Sequence, residues 1–173
     1  MSNISKKDLR NSIILGLSST DTKVVINSIN QLREEGKPKD ILLLLDVMLS
    51  KSETEIQSAI HNFLADLKNQ ESAQIIIDAI QNQKYVSIRK HLISTCWESS
   101  ISFSNHISTF VDVLIESDFE TSFEAFTVIE NLTDKISEES KPIEMAKLKD
   151  AIPSVTADKK GMLHEAIHII EKL

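Results

Sequence analysis

A spacing of 32 residues recurs along this chain and constrains its fold more than any other feature of the sequence. Three segments align at that spacing without gaps, namely residues 21–32, 53–64 and 85–96. Each has a β-branched residue at its fourth position and an apolar residue at its twelfth: Val24, Ile56 and Ile88, then Leu32, Leu64 and Cys96. Weaker copies follow at residues 118–129 and 158–169. Self-similarity at such a period is typical of chains built from stacked units of similar structure.

Both halves of each unit carry helical patterns. Within the aligned copies, apolar residues recur at helical spacing and form a stripe along one side. A second helical pattern precedes each copy, over residues 5–17, 38–49, 72–80, 104–115 and 142–152. Four copies open with an acid whose carboxylate is expected to cap the helix: Asp21, Glu53, Asp118 and Asp158. With only three Gly and three Pro in 173 residues, turn-rich β architectures are disfavoured.

These patterns predict an all-α chain of ten helices in five antiparallel pairs. We expect one domain over residues 1–173, with repeats at about residues 4–36, 37–68, 69–100, 101–136 and 137–173. A plain helical bundle that happens to repeat is the alternative architecture.

The second helices also resemble those of HEAT-like (armadillo-type) repeats, in which an Asp precedes an aliphatic-basic pair and then small and aliphatic residues. Residues 21–32 and 85–96 match best, and Ile88-Arg89 supplies a full aliphatic-basic pair. The resemblance implies a right-handed α-α superhelix, or solenoid, whose second helices line a concave surface that binds partners. On this chain that surface would include Asn27, Asn30, Asn62, His91, Ser94, Glu124, Thr127 and His164.

The resemblance favours a non-catalytic protein–protein interaction scaffold or adaptor, although other functions stay open. Some HEAT-like proteins are bilin lyases or DNA glycosylases, so a lyase-type enzyme or enzyme accessory is one alternative. A regulatory subunit of a larger assembly is another. The net charge of −7 weighs against nucleic acid, because phosphate binding needs clustered Lys and Arg. We expect a protein or peptide partner and no cofactor.

Localisation follows from three weaker features. The most apolar run, residues 41–49, contains Asp46 and is too short to cross a bilayer, and the N-terminal residues show no apolar signal-peptide region. The one cysteine, Cys96, fits a reducing compartment and occupies a core position of the repeat. We therefore expect a cytoplasmic protein with no membrane contact.

The sharpest catalytic pattern is His164-Glu165-Ala166-Ile167-His168, which matches the zinc-protease helix in form. The apolar residues of this helix share one face, and both His point roughly the opposite way. Five residues follow His168, so we expect no third ligand from downstream. We predict no catalytic, cofactor or metal site here, and leave open whether the His pair binds adventitious metal.

The candidate partner-binding residues lie in the third and fourth repeats: His91, Trp97, Asp118, Glu120, Glu124, Thr127 and Glu130. For Trp97, two hypotheses stand: packing against the fourth repeat, or anchoring a partner. Residues 101–136 hold seven acids and one base, a net −6, whereas the other four repeats sum to −1. Residues 112–134 form either a solvated acidic face or a dock for a basic protein segment. Phe119, Phe123 and Phe126 follow helical spacing and are predicted to lie in the core.

Overall fold

The computed structural model describes residues 6–35 and 37–173, so residues 4, 5 and 36 of the first predicted repeat lie outside it. The described residues form ten α-helices joined by short connections. Their bounds are α1 Lys6–Leu17, α2 Thr22–Glu35, α3 Ile41–Ser50, α4 Thr54–Ala65, α5 Ser72–Gln81, α6 Arg89–Glu98, α7 Ile107–Glu116, α8 Phe119–Glu130, α9 Ser140–Ala151 and α10 Ala157–Lys172. The predicted count of ten helices is confirmed.

The helices stack as successive pairs. The second helices form one row, in which α2 packs on α4, α4 on α6, α6 on α8 and α8 on α10. The first helices lie behind them, with α3 against α5 and α7 against α9. Within residues 6–35 and 37–173, extensive packing joins only helices of the same pair or of neighbouring pairs. This arrangement confirms the all-α solenoid.

Short 3-10 turns shift three helix starts from the predicted positions. Pro38–Asp40 precedes α3, Ser104–His106 precedes α7, and Gln83–Ile88 delays the start of α6 to Arg89. In the last case the Asn82 side chain accepts a hydrogen bond from Lys84 N at 2.9 Å. The buried Tyr85 donates its hydroxyl to Asp46 Oδ1 at 2.9 Å, which ties this turn to the preceding pair.

One continuous apolar core runs through the stack, and most of the predicted stripe residues lie in it. Ile56, Ile88 and Cys96 are buried, as the repeat predicts. The assignment of Val24 to the core is wrong, because its side chain is 43% exposed while Val25 is fully buried. Val25 lies four residues before Ile29 and seven before Leu32, so it completes the buried stripe of α2.

The predicted carboxylate caps are correct at two helices. Asp118 Oδ1 accepts from Thr121 N at 3.0 Å at the start of α8, and Asp21 Oδ1 accepts from Lys23 N at 2.8 Å at the start of α2. Glu53 makes no side-chain cap bond to α4, so that prediction is wrong. Asp158 lies inside the first turn of α10, whose N-cap is Thr156.

Two of the three phenylalanines predicted for the core lie outside it. Phe119 is 46% exposed and Phe123 is 51% exposed, whereas Phe126 packs partly buried against the core. The buried side of α8 is formed instead by smaller side chains: Thr121, Ser122, Ala125, Val128 and Ile129. These residues recur at helical spacing on the opposite side of α8, which turns Phe119 and Phe123 toward solvent.

A buried lysine fixes the last pair to the one before it. Lys159 on α10 donates from Nζ to the backbone oxygens of Ile115 and Ser117, both at 2.8 Å. Those carbonyls belong to the end of α7, where a cation complements the negative end of the helix dipole. Burial lowers the pKa of Lys159, while the nearby Asp118 and Asp158 act in the opposite direction.

The main polar contact between the first two helix pairs is an ion pair between Arg10 and Asp40. Arg10 donates to both carboxylate oxygens of Asp40, with Nη1 to Oδ2 at 2.9 Å, and Lys37 N donates to Oδ2 at 2.8 Å. Asp40 is only 1% exposed. Burial alone would raise its pKa, but the hydrogen bonds from Arg10 and Lys37 outweigh it and leave the pKa below the ordinary value.

None of the helices in the described ranges combines the length and apolar character that a bilayer crossing requires.

We expect the Asp40→Asn variant to unfold more easily at neutral pH, by about 2 kcal/mol, because a buried charge-assisted pair is lost. The pKa of Asp40 is lower in the folded than in the unfolded state, so its charge stabilises the fold fully above the unfolded-state pKa. This stabilisation is lost as pH falls through the folded-state pKa. The stability difference between wild type and variant should therefore shrink below about pH 4. Urea unfolding of both proteins at pH 7 and pH 3 measures this stability difference. A difference that does not change with pH would contradict the role assigned to the Asp40 charge.

Alanine substitutions at the two described glycines are expected to change the stability of the fold in opposite directions. Gly161 lies within α10 and a Cβ there would meet nothing within 4 Å, so Gly161→Ala should stabilise by about 0.5–1 kcal/mol through helix propensity. At Gly16 a Cβ would lie 2.0 Å from Ser28 Oγ and 3.3 Å from Ser28 Cβ, where α1 crosses α2. Gly16→Ala should therefore destabilise, and Ser28→Ala should restore part of the loss. Equal stabilisation by both alanines in thermal unfolding would contradict the close approach.

Candidate partner-binding surface

The side of the second helices that faces away from the first helices carries the predicted surface residues. We call this side the second-helix face and define it by the exposed or half-buried residues that the sequence placed there: Asn27, Asn30, Asn62, His91, Ser94, Glu124, Thr127 and His164. All eight are accessible in the folded chain. They come from all five second helices, so the packing of those helices in one row makes the face continuous.

Polar contacts join the first four second helices, α2, α4, α6 and α8, in succession along this row. Arg33 pairs with Asp66 between the first and second pairs, and His61 Nε2 lies 2.8 Å from Glu98 Oε2 between the second and third. These contacts align neighbouring helices, although exposed pairs contribute little to stability.

The seam between α6 and α8 holds two such contacts and most of the candidate residues. Lys90 Nζ lies 2.5 Å from Glu120 Oε2, and Trp97 Nε1 donates to Glu124 Oε2 at 3.0 Å. Thr127 lies one turn beyond Glu124 and donates its hydroxyl to the backbone oxygen of Phe123. The structure thus brings Trp97, Glu120, Glu124 and Thr127 together.

The observed position of Trp97 shows packing against the fourth pair, and anchoring of a partner stays a prediction. Its indole N–H bonds to Glu124 of the fourth pair, so it does pack against that pair. The side chain nevertheless remains 39% exposed. A tryptophan with its polar end fixed and its ring in solvent has lost part of its rotamer freedom, which lowers the entropic cost of using it in an interface.

His91 lies next to this seam on the exposed side of α6. Partial burial lowers its pKa below the ordinary histidine value, and the positive charges of Lys90 and His61 act in the same direction. Glu124 opposes the shift. At neutral pH the ring is therefore neutral and offers one hydrogen-bond donor and one acceptor.

The acids of the fourth pair are partly neutralised by bases from other pairs. Asp112 Oδ1 lies 2.9 Å from Lys147 Nζ on α9, in addition to the Lys90–Glu120 contact. The Asp118 carboxylate instead accepts hydrogen bonds from Thr121 N and Thr121 Oγ1. These bonds lower the pKa of Asp118, consistent with its role as the α8 cap.

Three acids of the fourth pair lack such compensation. Glu116, Glu130 and Asp134 are exposed, and within residues 6–35 and 37–173 no base pairs with their carboxylates.

A cleft that sequence reasoning missed opens between the third and fourth pairs. It encloses about 470 Å³ and its polar lining includes Gln81, Arg89, Thr109 and Glu116. Gln81 Nε2 donates to Thr109 Oγ1 at 3.0 Å, whereas Arg89 Nε is buried without a hydrogen-bond partner. The one sequence signal for this cleft is the Ile88-Arg89 pair, which carries the repeat resemblance.

The residues of the zinc-protease pattern lie as the sequence predicts. His164 and His168 are exposed on α10, while Leu163, Ala166 and Ile170 of the same helix are buried. In the described part of the chain, no group of three or more His, Cys, Asp or Glu is placed to hold a metal ion. Cys96 is buried, and desolvation raises the pKa of its thiol far above the usual range, as expected for a core residue.

Comparison with known proteins adds a structural likeness. No protein-family model and no curated protein matches the chain. Among solved structures, the designed armadillo repeat protein YIII(Dq)4CqI is similar, with 13% sequence identity and a TM-score of 0.46 over 96% of this chain and 87% of the designed one. The fold assignment accordingly rests on the stacked helix pairs themselves.

Proposed function

We propose that this chain is a non-catalytic interaction scaffold or adaptor that binds a protein or peptide on its second-helix face. The observation that carries the proposal is the half-exposed Trp97, held by Glu124 at the seam between two repeats. Tryptophan is enriched among the residues that dominate binding energy, and its partners here pre-organise it.

The surrounding residues suit recognition of polypeptide. His91 on α6 and Thr127 on α8 offer neutral hydrogen-bonding groups, and Asn62 offers an amide on α4. Glu120 and Glu124 supply carboxylates whose charges remain partly accessible. A stacked array of this kind presents a long surface without requiring a deep pocket, which fits an extended protein segment.

The charge distribution favours a basic partner. The fourth pair adds acidic side chains at the ends of its two helices, where Glu116 on α7 and Glu130 on α8 have no base of their own. Uncompensated charge of one sign attracts an oppositely charged partner during diffusional encounter and raises the association rate. Asp118 contributes to this field, although its carboxylate also caps α8.

Site-specific photo-cross-linking tests the proposal. A photoreactive amino acid at Asn62 or His91 should capture a defined protein in cells of the native host, because both positions lie on the second-helix face. The matched control is Gln74, which is equally exposed but lies on the first helix of its pair. Mass spectrometry identifies the captured protein. Capture from Gln74 to the same extent, or from neither face position, would contradict the proposal.

Association kinetics with that captured protein, once purified, test the electrostatic part. Charge screening acts over about 8 Å at physiological ionic strength, so the association rate should fall as salt rises. Replacing Glu116 and Glu130 with Gln should slow association a few-fold while leaving dissociation nearly unchanged. The control replaces Glu34 and Glu55, which are exposed acids of the first two pairs, and changes net charge equally. An equal effect from both double variants would mean that only net charge matters.

A further inference from the structure

Two aromatic rings are stacked on the surface of α8 with half of each in water. Phe119 and Phe123 lie one turn apart, with ring centroids 6.5 Å apart and planes inclined by 28°. Burying a large apolar side chain stabilises a fold by about 1.5–3 kcal/mol. Two such rings left in solvent therefore do not contribute this stabilisation. Scattered apolar side chains on a surface are ordinary, but adjacent aromatic rings form a patch that indicates contact with another molecule.

The fold does not require these rings where they lie. The buried side of α8 is complete without them, since Ala125, Val128 and Ile129 contact the core from the opposite side of the helix. Phe126, in the same segment, is the phenylalanine that packs partly against the core. The exposed pair is therefore available to a ligand at no cost to packing.

Acidic side chains occur on the same helix and at the end of the preceding one. Glu130 lies eleven residues after Phe119, which at 100° per residue places it on the same stripe of α8, about 16 Å along the axis. Glu116 ends the preceding helix. Both acids are exposed and unpaired, as described above.

The neighbouring helix α10 packs on α8 and adds two further acids. Asp158 and Glu165 are exposed and seven residues apart, so they share one stripe of α10. Lys159, the residue after Asp158, donates from Nζ to Ser117 O just before α8, so the start of α10 lies beside the start of α8. Lys159 itself is buried against backbone carbonyls, and Lys90 is paired with Glu120. These two local bases are thus already engaged.

We propose that Phe119 and Phe123 anchor a basic, amphipathic helical segment of a partner protein. Apolar side chains of that segment, spaced three and four residues apart, cover the stacked rings. Its Lys and Arg side chains reach Glu116, Glu130 and the acids of α10, and a cation over a ring face gains a further cation–π contribution. This inference rests on the proposed scaffold function and specifies the chemistry of its partner.

Charge complementarity distinguishes between the kinds of molecule that could bind to this patch. A second copy of the chain docked through the same patch would bring these acids against their own equivalents, and such like-charge contact is unfavourable. An anionic membrane surface would be repelled for the same reason. A basic protein segment satisfies both the apolar pair and the carboxylates around it.

Fluorescence anisotropy with three labelled 18-residue peptides tests the inference on the full chain. The first has Leu at helical spacing and Lys elsewhere, the second has Glu in place of Lys, and the third has Ser in place of Leu. We expect the Leu/Lys peptide to bind at least tenfold more tightly than either of the others. Phe119→Ser with Phe123→Ser should weaken that binding at least tenfold. Both substitutions lie on the surface, so the fold should survive, which circular dichroism checks.

The control variant carries Leu15→Ser and Ile143→Ser, which remove exposed apolar side chains from α1 and α9. Unchanged binding by the control and lost binding by the phenylalanine variant support the inference. No binding of the Leu/Lys peptide, equal binding of the Glu peptide, or equal loss in both variants would overturn it. Concentration-dependent dimerisation abolished by the phenylalanine substitutions would assign the patch to a second copy instead.

Failure of this inference and failure of the proposed function give different results. If Asn62 and His91 capture a partner while the phenylalanine variant binds that partner normally, the scaffold function stands and the anchor is wrong. If neither face position captures a partner, the scaffold function itself fails.

Discussion

Every helix pair in this chain depends on its neighbours to bury its apolar stripe. A pair of helices of 10 to 16 residues has too little interior to exclude water from both, so the second helices bury their stripes by packing in one continuous row. That constraint fixes the rest of the structure. It places the buried side of α2, α4, α6, α8 and α10 toward the first helices and leaves the other side to solvent, where the candidate binding residues lie.

The repeat period made the fold predictable, because burial at every stripe has to follow the helical period. Ile56 and Cys96 lie in the core for that reason, although one of them is a cysteine where other copies have leucine. Local details depend on contacts between helices, which the repeat pattern does not specify. Val24 lies beside Gly16 where α1 meets α2 and stays 43% exposed, and the delayed start of α6 accompanies the Tyr85 contact with Asp46.

The candidate surface was predictable in part. The sequence located the acidic fourth repeat and the seam residues, because exposed positions of a helix follow from its buried ones. It could not reveal that Lys90 and Lys147 approach these acids, since each base lies about 30 residues from the acid it pairs with. The spacing of Phe119 and Phe123 fits either side of α8. The side they occupy is set by the apolar residues that follow in the same helix, Ala125, Val128 and Ile129.

The buried Lys159 links the fifth helix pair to the fourth. Lifting α10 away would strip two carbonyls at the end of α7 of their cation and open the packing of α10 on α8. Local opening of the fifth pair is therefore coupled to both helices of the fourth. Any contact that holds α10 in place would also protect the end of α7 from local unfolding.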